Sequence, residues 1–307
     1  MKKYITVDGG TTNTRVNLND QKNIFYTVKI QSGARVNSAE SYKIQIKKAI
    51  EEILLKNKLT ESDIECIVAS GMITSERGLY EVKHVQAPAG IKELHDNIQH
   101  IYLRDITSIP FAFIPGVRTS ADSVDTADVM RGEESEIIGI ANYENSLCVL
   151  CGSHTKFIKT DTNGRITEFS TTLTGEMISA LSSETILNDA VNLDITETDS
   201  EYLLKGYDYS CENGLNKALF KVRVLKNIFN ASDIKIYSFY IGAILAGDIS
   251  EIINYNISDV IVGGRENIKK AVAKILKNRT KVNVTELDNK TVQQSNAFGM
   301  VKIYRED

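Results

Sequence analysis

The sequence predicts an α/β protein made of two halves with like topology. Three observations carry this. A strand, polar turn, strand, hairpin, strand unit occurs twice, with Gly10-Thr11 in the first copy falling opposite Gly152-Ser153 in the second. Each copy is followed by helical stretches mixed with short buried-looking strands. The 307 residues leave room for about two domains, each with its own core.

In chain order, residues 4–7 alternate into a strand that ends at Asp8-Gly9-Gly10-Thr11-Thr12-Asn13-Thr14-Arg15. Residues 15–18 form a second strand, Asn19-Asp20-Gln21-Lys22-Asn23 a polar turn, and residues 24–30 a third strand. Between residues 39 and 57, Tyr42, Ile46, Ala49, Ile50, Ile53 and Leu54 share one helical face. Residues 64–69 and 111–114 read as buried strands. The second meander runs through strands 146–150, 156–160 and 165–170, with Asp161-Thr162-Asn163-Gly164 as its hairpin turn. Helices are predicted over 176–190, 215–229 and 236–255, and buried strands over 260–262 and 282–285. A polar stretch at 141–145 marks the boundary, giving domains 1–144 and 145–307, with the last helix, 291–304, packing back on the first.

The composition excludes several classes. A net charge of −4 argues against a general nucleic-acid binder. No run approaches the roughly 18 uninterrupted apolar residues of a membrane span, and the first residues lack the apolar region of a signal peptide. Four cysteines, three of them in apolar runs, suit reduced thiols and a cytoplasmic setting. Cys148 and Cys151 read as core residues on a strand. His84, His95 and His100 lack metal spacing and read as surface residues.

The turns carry the chemistry. In Asp8-Gly9-Gly10-Thr11-Thr12-Asn13 the glycines permit close backbone approach, and N–H groups and hydroxyls can face an anion. Asp8 can hold Mg²⁺ against phosphate oxygens, directly or through water, and Arg15 adds charge. Alone this could be an ordinary polar hairpin; repeated as Gly152-Ser153-His154-Thr155-Lys156 it reads as a phosphate clamp. The turn feeds a strand and lacks Gly-Lys-Ser/Thr, so it is not a P-loop. A third turn, Gly263-Gly264, follows a strand and opens a helix, where a nucleotide's adenosine and first phosphate could lie.

These features resemble the actin-like ATPase superfamily and, within it, the 2-dehydro-3-deoxygalactonokinase family. The resemblance rests on four segments: 5–15; Ala69-Ser70-Gly71-Met72-Ile73-Thr74-Ser75; Asp128-Val129-Met130-Arg131-Gly132-Glu133-Glu134; and Gly152-Ser153-His154-Thr155-Lys156-Phe157 with Thr174-Gly175-Glu176. Gly9 departs from the family, where tryptophan is common. The resemblance implies two duplicated actin-like (ribonuclease H-like) domains with ATP between them. It also implies Mg²⁺-dependent phosphorylation of the 6-hydroxyl of 2-dehydro-3-deoxy-D-galactonate. Such transfer needs a carboxylate to accept the hydroxyl proton. Asp125 is the first candidate, as the acid at the start of a helix through Val129, although it could simply cap that helix; Asp128 is the second. Arg77 and Arg131 are candidates for the substrate carboxylate, with Arg15 and Glu133 also assigned to the substrate. Glu176, also assigned to the substrate, either orients a phosphate-turn donor or is a helix-start acid, and His154 could donate to a phosphate or to the substrate.

The expected partners are ATP and a small sugar acid, without nucleic acid or membrane, and with a homodimer as a candidate assembly. A kinase of another small sugar or sugar acid is the alternative enzyme. A non-catalytic nucleotide-dependent regulator is the alternative outside enzymes.

Overall fold

The computed structural model describes residues 2–10, 13–31, 33, 39–120 and 122–307. It divides into two compact units. The first holds residues 1–144, 160–168 and 290–307; the second holds 145–159 and 169–289.

The first unit opens with β1 (Lys3–Gly9), β2 (Thr14–Asn19), β3 (Ile24–Ile30), α1 (Ala39–Lys56) and β4 (Ile64–Gly71). It continues through β5 (Val85–Gln86), α2 (Ile91–His95), β6 (Gln99–Ile101), β7 (Phe111–Phe113), β8 (Val117–Arg118), β9 (Val129–Met130) and α3 (Glu133–Gly139). Its main sheet has the order β3-β2-β1-β4-β7-β6, with β1, β2 and β3 antiparallel and β1, β4 and β7 parallel. Apolar residues of α1 recur at helical spacing, so Tyr42, Ile46, Ala49, Ile50 and Ile53 bury against Ile5, Val7, Val16 and Leu18 of the sheet. Burying each such aliphatic side chain is worth about 1.5–3 kcal/mol.

The second unit contains β10 (Leu147–Cys151), β11 (Thr155–Thr160), β12 (Ile166–Thr172), α4 (Thr174–Glu184), α5 (Ser200–Asn213), α6 (Leu215–Asn227), α7 (Asp233–Asn254), β13 (Asp259–Gly264), α8 (Glu266–Arg279) and β14 (Asn283–Glu286). Its sheet order is β12-β11-β10-β13-β14, with β10 parallel to β13 and β13 parallel to β14. The order matches β3-β2-β1-β4-β7 strand for strand, which is the duplicated actin-like plan. Helix α7 is long and apolar enough by composition to cross a membrane, but it forms the buried centre of this unit, with Ile236, Tyr240, Ile244 and Ile249 in its core.

The last helix, α9 (Asn289–Arg305), belongs to the first unit from Lys290 onward. Tyr304 meets Tyr4 of β1 edge-on at 5.7 Å, and His95 bonds the Ile303 carbonyl. The hairpin tip 160–168 also lies with the first unit, through backbone bonds in both directions between Ala89 and Ile166. The sequence-derived division, 1–144 and 145–307 with the last helix packing back on the first, did not set the hairpin tip 160–168 apart. The α5 segment, between polar residues and with mixed faces, was not among the predicted helices.

Candidate active site

In the first unit the chemistry gathers where β1 ends. Gly10 N–H donates to the Asn13 carbonyl at 2.8 Å, closing the turn after β1; Thr11 and Thr12 lie outside the described residues. Register sets Asp8 opposite Arg15, whose Nη1 stands 4.0 Å from the Asp8 carboxylate. Arg15 also reaches the Gln293 carbonyl of α9 at 3.4 Å. Burial pushes the Asp8 carboxyl above its ordinary value; Arg15 pulls it down and Glu133 pushes it up. Glycine at position 9 is required by packing, because a Cβ there would stand 2.7 Å from that of Ile73.

Helix α3 approaches the same strand ends. Ser70 of β4 donates to Glu134 at 2.8 Å, and the Glu133 carboxylate accepts the Arg131 N–H at 3.0 Å. The buried Glu134 carboxyl is pushed up to about 7 by burial and by Glu133, against donors from Gly132 and Ser70. Glu136, one helical turn on from Glu133, is pushed up to about 8 by burial and then by Asp8 and Glu133. Asp8, Glu133 and Glu136 thus form one electrostatic group partly offset by Arg15. Glu136 was absent from the sequence-derived acids, although its spacing from Glu133 would have placed both on one helical face.

The structure corrects three expectations. No helix begins at Asp125: residues 124–126 are an exposed turn, β9 follows, and the helix starts at Glu133. The local reason is Thr119, whose hydroxyl binds the Thr126 carbonyl at 2.6 Å and accepts the Asp128 N–H at 2.6 Å, holding the chain in a non-helical loop. Asp128 turns back to accept the Val129 N–H. Arg131 does not present its guanidinium outward: it donates to the Thr74 carbonyl and hydroxyl at 2.6 and 2.7 Å, and to the Val82 carbonyl at 3.0 Å. His84 is half-buried against Arg131 rather than a surface residue, and burial with that cation lowers its pKa to about 4. Arg77 is exposed on the turn closed by the Gly78 N–H to the Ser75 carbonyl.

In the second unit, Gly152, Ser153 and His154 form the turn between β10 and β11. The start of α4 is tied to it: Glu176 N–H donates to the Ser153 carbonyl at 3.1 Å, and the Glu176 carboxylate lies 3.2 Å from His154 Nε2. Thr155 is fully buried, and its hydroxyl has no hydrogen-bond partner among the described residues. Lys156 lies within β11 rather than in the turn, and its ammonium donates to Thr171 at 2.6 Å. Beneath α4, the buried Asp248 of α7 accepts from Thr172 and Thr174, a network that sequence reading missed. Gly263 and Gly264 are the last two residues of β13 rather than a turn after it, with Arg265 between them and α8. The groove along α8, about 500 Å³, is lined by Lys270, Lys274 and Lys277, which engage Glu266, Ser200 and Glu286.

The family model for 2-keto-3-deoxy-galactonokinase matches residues 8–301. The 2-dehydro-3-deoxygalactonokinase of Escherichia coli (strain K12) is 24% identical over 260 residues, covering 82% of this chain and 81% of that protein. A crystal structure from Sinorhizobium meliloti, assigned as a 2-dehydro-3-deoxygalactonokinase, superposes with a TM-score of 0.80 at 18% identity, covering 99% of this chain and 98% of that one. The ligand-bound xylulose kinase of Lactobacillus acidophilus shares the fold at a TM-score of 0.54 and 11% identity, covering 100% of this chain and 89% of its own. With the match running from the first turn to the last helix, the chain belongs to the 2-keto-3-deoxygalactonokinase family and is a carbohydrate kinase of the sugar-acid type.

Proposed function

We propose that the protein transfers the γ-phosphoryl group of ATP to the 6-hydroxyl of 2-dehydro-3-deoxy-D-galactonate, as a cytoplasmic enzyme of galactonate breakdown. The bond from O6 to phosphorus forms, the bond to the β,γ-bridging oxygen breaks, and ADP leaves. The carrying observation is the grouping of Asp8, Arg15 and Glu133 at the end of β1 in a chain of this family.

Asp8 is the residue that would hold Mg²⁺, directly or through water. A carboxylate crowded by Glu133 and Glu136 is relieved by a cation, and Mg²⁺ needs only one or two protein carboxylates beside phosphates. When bound, the ion neutralises charge on the transferring phosphoryl group. Gly10, Thr11, Thr12 and Asn13 would take phosphate oxygens at the first turn. Gly152, Ser153, His154 and Thr155 would do so at the second, where a phosphate oxygen would complete the unpartnered Thr155 hydroxyl. Gly263 and Gly264 would meet the adenosine.

For the proton acceptor we favour Glu133 over Asp125 and Asp128. Its carboxylate is in electrostatic contact with Asp8, whereas Asp125 is exposed on the preceding turn and Asp128 caps Val129. An ADP-release assay over 2-keto-3-deoxy sugar acids, hexonates and neutral hexoses tests the reading. Turnover is expected with the 2-keto-3-deoxy acids; turnover with neutral hexoses alone would overturn it.

A further inference from the structure

We propose that Lys29, with Arg15, forms an anion-binding subsite for one of the two charged reactants; this rests on the kinase reading above. The β1–β2–β3 register pairs Asp8 with Arg15 and Arg15 with Lys29, a single cross-strand row. Directly opposed residues share a sheet face. Along β3 the exposure alternates, so Tyr26, Val28 and Ile30 meet the core while Phe25, Thr27 and Lys29 take the other face. That face opens on a cavity of about 400 Å³ lined by Asp8, Gly10, Asn13, Arg15, Lys29 and Gln31.

The row carries two cations, Arg15 and Lys29, and one acid, Asp8, on which Glu133 and Glu136 also act. Arg15 is held only at long range, 4.0 Å from Asp8 and 3.4 Å from the Gln293 carbonyl. No ion pair or side-chain hydrogen bond among the described residues engages the Lys29 ammonium. The remaining cations assigned to a substrate carboxylate lie elsewhere: Arg131 is turned onto Thr74 and Val82, and Arg77 is exposed on its turn. Paired anionic oxygens therefore fit the Arg15–Lys29 side of the cavity. The sugar-acid carboxylate and the ATP phosphates both carry that chemistry.

Steady-state kinetics with ATP and 2-dehydro-3-deoxy-D-galactonate varied separately distinguish the sources. Lys29→Gln is expected to raise the KM of one reactant by about tenfold or more with a smaller change in kcat, and Lys29→Arg to restore most of it. A rise confined to the sugar acid identifies the carboxylate; a rise confined to ATP identifies the phosphates. Both KM values within about twofold of wild type would overturn the subsite. A readout independent of turnover is the melting temperature in rising inorganic phosphate. Wild type is stabilised and Lys29→Gln is not; equal stabilisation would overturn the subsite, whereas absent wild-type turnover would defeat the kinase reading instead.

Discussion

The turns after β1 and β10 are built on the same backbone device and differ in their charges. Each follows a strand whose last residue faces a left-handed glycine on the parallel neighbour: Gly71, at φ 86°, opposite Gly9, and Gly264, at φ 91°, opposite Cys151. A Cβ at Gly71 would stand 2.5 Å from the Gly9 carbonyl oxygen, and one at Gly264 2.1 Å from that of Cys151. Each turn also leads into a strand whose second residue, after a threonine, is a cation: Arg15 after Thr14 and Lys156 after Thr155. Opposite Arg15 stands Asp8; opposite Lys156 stands the apolar Leu150. The scaffold is duplicated and the acid is not, so the function proposed above assigns the Mg²⁺-dependent part of the chemistry to the first unit. The second unit offers instead hydroxyls, backbone and the His154–Glu176 pair.

The largest effect should come from removing the unduplicated acid. Asp8→Asn is expected to lower kcat/KM by about a thousandfold or more, read in the ADP-release assay, while leaving the melting temperature unchanged or raised. Next is the proton acceptor: Glu133→Gln should cost about a hundredfold in kcat, and Asp125→Asn less than about threefold. The reverse order would return the base to the exposed turn. Gly71→Ala and Gly264→Ala should each lose about 2 kcal/mol or more of stability in urea titrations, through backbone strain and carbonyl contact. A loss at only one of them would break the equivalence of the two units.

The smallest effect is on pH dependence. Glu136 has a folded pKa of about 8 against an ordinary 4.5, so the native state keeps a proton that the unfolded chain releases. Its contribution to stability is complete below the ordinary value and is lost as pH rises through about 8. Glu136→Gln should therefore raise the urea midpoint above that of wild type at pH 8 and give no such gain at pH 4. Equal midpoints at both values would remove Glu136 from the Asp8 group.

The duplication was legible because each meander is local: alternating strands, short polar turns and glycines lie within a few dozen residues. The strand ends at Asp8 and at Gly263-Gly264, and the core face of α1, followed from the same local signals. What depended on distant partners was not legible. The helix expected at Asp125 came from the resemblance to related sugar kinases, and the loop before β9, held by Thr119, excludes it. Arg131 is an ordinary charged residue in sequence, and only Thr74 and Val82 reveal its brace. Lys29 emerges only when register is counted through two hairpins, and the place of 160–168 in the first unit rests on its pairing with Ala89.

The most direct test is phosphorus NMR of the product formed from ATP, Mg²⁺ and 2-dehydro-3-deoxy-D-galactonate by wild type and by Asp8→Asn. The account predicts one phosphate ester, on O6, in equal amount to ADP with wild type, and almost none with the variant. An ester on another oxygen, or undiminished product from Asp8→Asn, would contradict it.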